Sequence, residues 1–191
     1  MRVHFGERMH EGASGIEAED AALLARWTDG DETAATALVN RHAPALARYV
    51  ASLGFREDIE EVVQDTFVRA FGALDGFRAD SSLRTWLFTI ARRLVLDRRR
   101  SARRRRGEVE VDETHVVTEG NPLESLVAQE MEARLGHAVE RLTPTQREVF
   151  RLRVGEGLSY KEIAEVVGTT EGAARVHYHN AMRTVKELLD A

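Results

Sequence analysis

Side chains suited to gripping nucleic acid concentrate in two stretches of this 191-residue chain. Near the C-terminus, Ser159-Tyr160-Lys161-Glu162 begins a short segment closed by Gly168, and Thr169-Thr170-Glu171 begins a longer one. A serine three residues ahead of a glutamate is a capping box, in which each side chain satisfies an amide that helix geometry leaves unpaired. The spacing predicts a short helix over 160–167, a turn, and a longer helix over 171–189. That is the plan of a helix-turn-helix, whose first helix braces on the DNA backbone while the second enters the major groove. On the second helix Ala174, Tyr178, Ala181, Val185 and Leu188 recur at three and four residues and form a buried stripe. The opposite face carries Arg175, Val176, His179 and Arg183. Arginine pairs bidentately with guanine, and valine meets a thymine methyl. Thr170, with the free amides of the helix start beside Glu171, suits a phosphate. The competing reading is a plain helical hairpin with a solvated face.

The second stretch runs from Phe77 to Arg106. Between Arg78 and Arg106 there are eleven arginines and two aspartates, in a chain whose net charge is -5. A local basic stripe matters more for phosphate contact than the whole-chain sum. Phe77, Trp86 and Phe88 are interleaved with these arginines, a mixture suited to stacking and holding single-stranded bases. Trp86 falls on an apolar stripe and fits a packing role better. Phe77, in the preceding loop, is the better base contact. The run from Arg98 to Arg106 also fits a solvated helix end favoured by the helix dipole.

A third constellation is acidic, D-I-E-E-V-V-Q-D over 58–65. Its carboxylates follow helical spacing. A hydrolytic pair lacks any accompanying histidine, serine or metal-ligand pattern, so the residues fit an acidic face for a basic partner protein, or a solvated face. His177 and His179 lie two apart on a helix and do not share a side, so no metal site is expected. There is no P-loop, no G-x-G-x-x-G and no G-x-S-x-G. No catalytic centre and no cofactor are expected. The absence of cysteine excludes disulfides and thiolate chemistry and fits a reducing cytoplasm. The first residues hold no apolar core of a signal peptide, and no apolar run approaches the ~20 residues of a membrane span.

These side chains need helices to position them, and the composition supplies helix formers with only three prolines. The fold class expected is all-α, with two small helical domains joined by a flexible linker and the helix-turn-helix in the second. Residues 1–17 read as a disordered tail and 18–100 as the first domain. Its helices are predicted over Glu17–Thr28, from Asp31 to about Leu53, from Asp58 to Phe71, and from a cap at Ser81 or Ser82 to about Arg100. Residues 101–122 lack a period, pass from basic to acidic and end at Gly120-Asn121-Pro122, which reads as a linker. Residues 123–191 form the second domain, with a helix to Arg141 and another opened by the capping box Thr143-Pro144-Thr145-Gln146.

Three segments together resemble a known family. D-I-E-E-V-V-Q-D-T-F-V-R-A-F, then F-R-A-D-S-S-L-R-T-W-L-F-T-I-A-R-R-L-V-L-D, then L-T-P-T-Q-R-E-V-F-R-L-R-V-G-E-G-L-S-Y-K-E-I-A-E-V-V-G-T-T-E-G-A-A-R-V are similar to bacterial RNA polymerase sigma factors. The two-domain plan with a bare linker resembles the extracytoplasmic-function subfamily. The resemblance covers roughly residues 18–106 and 123–190.

The resemblance implies a protein that binds core RNA polymerase and directs promoter recognition, melting and transcription initiation. Asp58, Glu61, Gln64 and Asp65 would contact the clamp helices of the largest polymerase subunit. Phe77, Arg78, Asp80, Ser81 and Ser82, with Arg93 and Asp97 on the following helix, would recognise and melt the -10 element as single strands. Tyr160, Lys161, Thr170, Glu171, Arg175, Val176, His179 and Arg183 would engage duplex DNA at the -35 element. It also implies a cytoplasmic protein, monomeric when free, without membrane insertion and held by an anti-sigma factor. Two positions depart from the family pattern: Arg93 stands where asparagine is frequent, and V-H-Y-H-N over 176–180 replaces a pattern of small residues, serine and arginine. The alternatives are a regulator that binds DNA without polymerase, which would carry a ligand or receiver domain, and a nucleic-acid-processing enzyme, which would need a catalytic constellation.

Overall fold

The computed structural model describes residues 7–55, 58–77, 81–106 and 126–190, and among them every regular element is helical. The order is α1 (Glu7–Thr28), α2 (Glu32–Ser52), α3 (Ile59–Gly72), a single 3-10 turn (Leu74–Gly76), α4 (Leu83–Arg106), α5 (Leu126–Glu140), α6 (Pro144–Val154), α7 (Tyr160–Val167) and α8 (Glu171–Leu189). The all-α expectation holds.

Local chemistry sets most boundaries. Gly30 takes φ +93° between α1 and α2. Asp31 then caps α2, its carboxylate accepting the Thr33 amide at 3.0 Å and the Arg26 guanidinium at 2.7 Å. The Thr33 hydroxyl, then Arg26, hold this carboxyl down to about 2. The cap of α4 is Ser82, whose hydroxyl accepts the Thr85 amide at 3.1 Å. Asp58 sits at φ +59° and makes no side-chain cap, so α3 begins one residue later than predicted. Aspartate tolerates that left-handed conformation better than most residues.

Two boundaries differ more. α1 opens at Glu7, so residues 7–17, read as a tail, belong to a helix. Proline is absent from the segment, and its two glycines cost about 1 kcal/mol each without breaking a helix. α4 runs to Arg106, so residues 101–106, read as linker, are its last turns. Serine, alanine and arginine continue a helix readily, and the Arg99 guanidinium reaches the Leu53 carbonyl to tie this end to α2. Residues 1–6 of the expected tail and 107–122 of the expected linker lie outside the described residues.

One apolar cluster runs through both halves of the chain. Leu38, Leu46, Tyr49, Val62, Phe67, Leu87, Phe88 and Val95 of α2–α4 are continuous with Val149, Leu152, Leu158 and Ile163 around α6 and α7. Tyr49 and Phe88 meet edge to face, with centroids 4.9 Å apart. A second cluster, Ala138, Val139, Leu142, Phe150, Ala181 and Val185, belongs to the C-terminal half alone. Leu188, assigned to the buried stripe of α8, is 39% exposed.

Three buried polar residues, Asp20, His42 and Arg147, fix helix placement. His42 Nε2 and Asp20 Oδ1 lie 3.1 Å apart and pin α1 on α2. Arg147 of α6 donates to the carbonyls of Val139 (3.1 Å), Glu140 (2.6 Å) and Leu142 (3.0 Å). Val139 and Glu140 close α5 and Leu142 lies two residues beyond it; the guanidinium serves as a side-chain cap, the Val139 carbonyl also accepting the Leu142 amide at 3.2 Å. Arg147→Met removes this donor from all three carbonyls. We expect a loss of about 2–3 kcal/mol of unfolding free energy, read as a lowered urea midpoint. An unchanged midpoint would remove the cap from the account.

Candidate nucleic-acid interface

The helix-turn-helix is built by three side-chain caps and a glycine. The Ser159 hydroxyl accepts the Glu162 amide at 3.3 Å, while Glu162 Oε2 accepts the Ser159 amide at 2.8 Å, completing the predicted box. Gly168 ends α7 at φ +76°, a conformation that favours glycine. Thr170 then caps α8, accepting the Ala173 amide at 3.1 Å. Ala174 and Ala181 are fully buried and Val185 nearly so, which rolls the other face of α8 outward. Lys161, Thr170, Glu171, Arg175, Val176, His179 and Arg183 are all exposed. Tyr160 has a different position. It is half-buried, its ring 5.8 Å from that of Tyr178. The guanidiniums of Arg153 and Arg175 lie over it at 4.9 Å and 5.1 Å. Tyr160 is thus a platform that, with Glu171 at 2.9 Å, orients Arg175.

The residues expected at the -10 element are divided. Arg93 and Asp97 are exposed and, four apart on α4, share a face. Phe77 is half-buried, packed on Trp86 at 4.8 Å, so its ring serves the edge of the core as well as any base. Arg78 and Asp80 lie outside the described residues. Ser81 and Ser82 are half-buried, and Ser82 Oγ lies 2.8 Å from Thr85 Oγ1 and 3.3 Å from Glu162 Oε1.

The acidic set is coherent. Asp58, Glu61 and Gln64 are exposed and Asp65 is half-buried. Glu61 and Asp65 share one cation, Arg98 of α4, at 2.9 Å and 2.7 Å. Hydrogen bonding to Glu61 and Asp65 outweighs partial burial and raises Arg98 above its ordinary value. Arg98 presets the two carboxylates, a role invisible in sequence because it reaches across an antiparallel helix pair.

A further set was missed by sequence reading, the residues where the two halves meet. Glu156 Oε2 accepts Arg84 at 2.6 Å and its Oε1 accepts Arg48 at 3.3 Å, with the Glu156 side chain 7% exposed. Glu148 accepts Arg92 at 2.8 Å and the Tyr49 hydroxyl at 2.6 Å. Glu162 Oε1 accepts the Thr85 hydroxyl at 2.9 Å. Burial pushes Glu162 up, but the Ser159 amide and hydroxyl and the Thr85 and Ser82 hydroxyls together hold it below its ordinary value. Arg151 donates to the Ser52 carbonyl. Burial, then the neighbouring Arg147, lowers Arg151 to about 10. The one local signal was the apolar-side position of Thr85, Phe88, Arg92 and Val95, a single stripe on α4.

A capped helix-turn-helix with one open face, beside an arginine-bearing helical half, is an arrangement suited to DNA. Comparison with known proteins gives the family. Residues 38–105 match the Sigma-70 region 2 model and residues 132–185 match Sigma-70 region 4. The chain is 34% identical to the RNA polymerase sigma factor CnrH of Cupriavidus metallidurans, over 92% of this chain and 96% of that one. It is 33% identical to the RNA polymerase sigma factor NccH of Alcaligenes xylosoxydans xylosoxydans, over 90% and 95%. Among solved structures, CnrH in complex with the cytosolic domain of CnrY matches with TM-score 0.63 and 32% identity, covering 90% of this chain and 97% of that one. The sigma factor RpoE from Bartonella quintana, in complex with the anti-sigma factor NepR, matches with TM-score 0.66 and 28% identity, covering 82% and 96%. The chain therefore belongs to the sigma-70 family of RNA polymerase sigma factors, in its extracytoplasmic-function (ECF) group, being 30% identical to the ECF RNA polymerase sigma-E factor of Salmonella typhimurium over 87% of this chain and 92% of that one.

Tyr49 makes the junction sensitive to alkali. Burial, and the Glu148 carboxylate beside it, raise its phenol well above the ordinary 10.0. The native hydroxyl keeps its proton where the unfolded tyrosine releases it. This stabilisation is complete below pH 10 and declines as pH rises past it. Urea midpoints measured from pH 8 to 11.5 should fall more steeply for the parent than for Tyr49→Phe; parallel slopes would contradict the assignment.

Proposed function

We propose that this chain is the promoter-specificity subunit of a bacterial RNA polymerase, acting by binding and without covalent chemistry. The observation that carries the proposal is the exposed face of Arg175, Val176, His179 and Arg183 on the capped second helix of a helix-turn-helix, in a chain of sigma-factor family. The N-terminal half, residues 18–100, takes core polymerase through Asp58, Glu61, Gln64 and Asp65. It takes the -10 element through Phe77, Arg78, Asp80, Ser81, Ser82, Arg93 and Asp97. Melting is driven by capture of a flipped base, which offsets an unstacking cost of a few kcal/mol. The C-terminal half, residues 123–191, reads the -35 element. The solved relatives are held by the anti-sigma factor NepR or by the cytosolic domain of CnrY. We propose a comparable inhibitory partner here, and a cytoplasmic site of action. No described helix is long and apolar enough to cross a membrane.

Mixing the chain with core polymerase and a promoter selected from a random library should give promoter-dependent transcripts. Duplex binding with no polymerase dependence would overturn the proposal. Arg175→Ala should weaken -35 binding by about 1–3 kcal/mol, roughly 5- to 150-fold, and relax specificity at one base pair. Glu61→Lys with Asp65→Lys should abolish co-purification with core polymerase while leaving the helical content unchanged. Retained co-purification would remove these carboxylates from the contact.

A further inference from the structure

A cleft of about 180 Å³ lies where the end of α2, the middle of α4 and the start of α6 meet. None of the residues assigned above to DNA or polymerase lines it. A water molecule takes about 30 Å³, so the cleft has room for a ligand of several heavy atoms. The side chain of Leu96 is 37% exposed and Pro144 is exposed, so the cleft opens to solvent at its rim.

The α4 wall is one stripe, Arg92, Val95, Leu96 and Arg99, at the three- and four-residue spacing that shares a helix face. Leu53, just past α2, extends its apolar part, and Thr145 and Arg147 of α6 face it. Three guanidiniums and one carboxylate, Glu148, thus line one small space in a chain whose net charge is -5. Glu148 is already held, by Arg92 at 2.8 Å and by the Tyr49 hydroxyl at 2.6 Å. Arg92 uses Nε and Nη2 for that pair, and its Nη1 makes no hydrogen bond among the described residues. Backbone carbonyls fix the other two: Arg99 donates to Leu53, and Arg147 to Val139 and Glu140. A guanidinium has five donors in a fork, so it can hold a carbonyl and an anion together. A fourth, Arg151, reaches the carbonyl of Ser52, itself in the lining. After burial, the charge of Arg147 is what lowers Arg151 most. Guanidiniums gathered around one space repel one another, and a bound anion relieves that repulsion. Forked donors of this kind match the oxygens of a phosphate.

We propose that this cleft binds a small organic phosphate, its anionic group against Arg92 and Arg99 and its carbon body on Leu53, Val95 and Leu96. Seven residues of helix separate the Cα atoms of the two arginines by ~10.5 Å. One phosphate, reached from each side by a bond of ~2.9 Å, fills that span. Arg147 adds positive potential, and Thr145 at the first turn of α6 supplies a hydroxyl.

Phenyl phosphate and inorganic phosphate are the probes, titrated calorimetrically into the full-length chain in phosphate-free buffer. Phenyl phosphate should bind saturably, at least about tenfold tighter than inorganic phosphate, because burying a ring is worth that factor or more. In nitrogen–proton correlation spectra the shifted amides should centre on Leu53, Leu96, Arg99 and Thr145. Thr145→Glu puts a carboxylate in the cleft at a helix start, where an acidic side chain is favourable and the fold is kept. It should weaken phenyl phosphate at least about tenfold. The charge-matched Val68→Glu, at a position 64% exposed on α3, should leave the affinity unchanged. Absence of saturable binding, shifts centred on Arg175 and Arg183, or unaltered affinity in Thr145→Glu would overturn the site. Equal affinity for the two probes would overturn the place given to the carbon body. Neither DNA nor polymerase enters these measurements, so their outcome is independent of the proposed function.

Discussion

Carboxylates buried against guanidiniums hold the two halves of this chain together, and their energetics govern what it can do. Glu156 and Glu148 are nearly covered, and each is matched to an arginine of the other half. An ion pair of that kind gives little net stability over an apolar contact of the same shape, yet removing one member is expensive, typically about 3–5 kcal/mol. The junction is therefore specific without being overwhelmingly strong. It sets one arrangement of the halves, and it is susceptible to any competitor that offers the same charges. Apolar contact between Tyr49, Phe88, Val149 and Leu152 fills the space beneath, which excludes water from the pairs and strengthens them.

The same economy appears within each half. Arg147 closes α5, Arg98 gathers Glu61 and Asp65, and Tyr160 with Glu171 orients Arg175. In the last two cases a long cation or a ring fixes charged side chains that would otherwise sample many rotamers. Glu61, Asp65 and Arg175 are thus held in one arrangement before any partner arrives, which lowers the entropic cost of any binding they take part in.

Features governed by neighbouring residues were legible in the sequence. The boxes at Thr143 and Ser159, the helix stop at Gly168 and the start of the last helix at Glu171 all formed at the predicted residues. The recognition face followed from them, because a capped helix with a periodic apolar stripe has its outward side determined. Helix ends without a strong stop signal were misplaced. α4 continues through Arg106 because nothing in R-S-A-R-R-R-R opposes a helix and Arg99 ties it to Leu53. Phe77 looked free for a base because its packing on Trp86 spans a loop. The junction was illegible for a different reason: Arg84 and Glu156 are 72 residues apart, and single-residue patterns carry no information on which charges will meet.

A closed free chain is the central claim, and X-ray scattering at low angle tests it most directly. The account predicts a radius of gyration near the ~16 Å of one compact body of this length, with a single-peaked distance distribution. Two lobes of ~13 Å with centres about 40 Å apart would instead give about 24 Å and a two-peaked distribution. That result in the free chain would contradict the account.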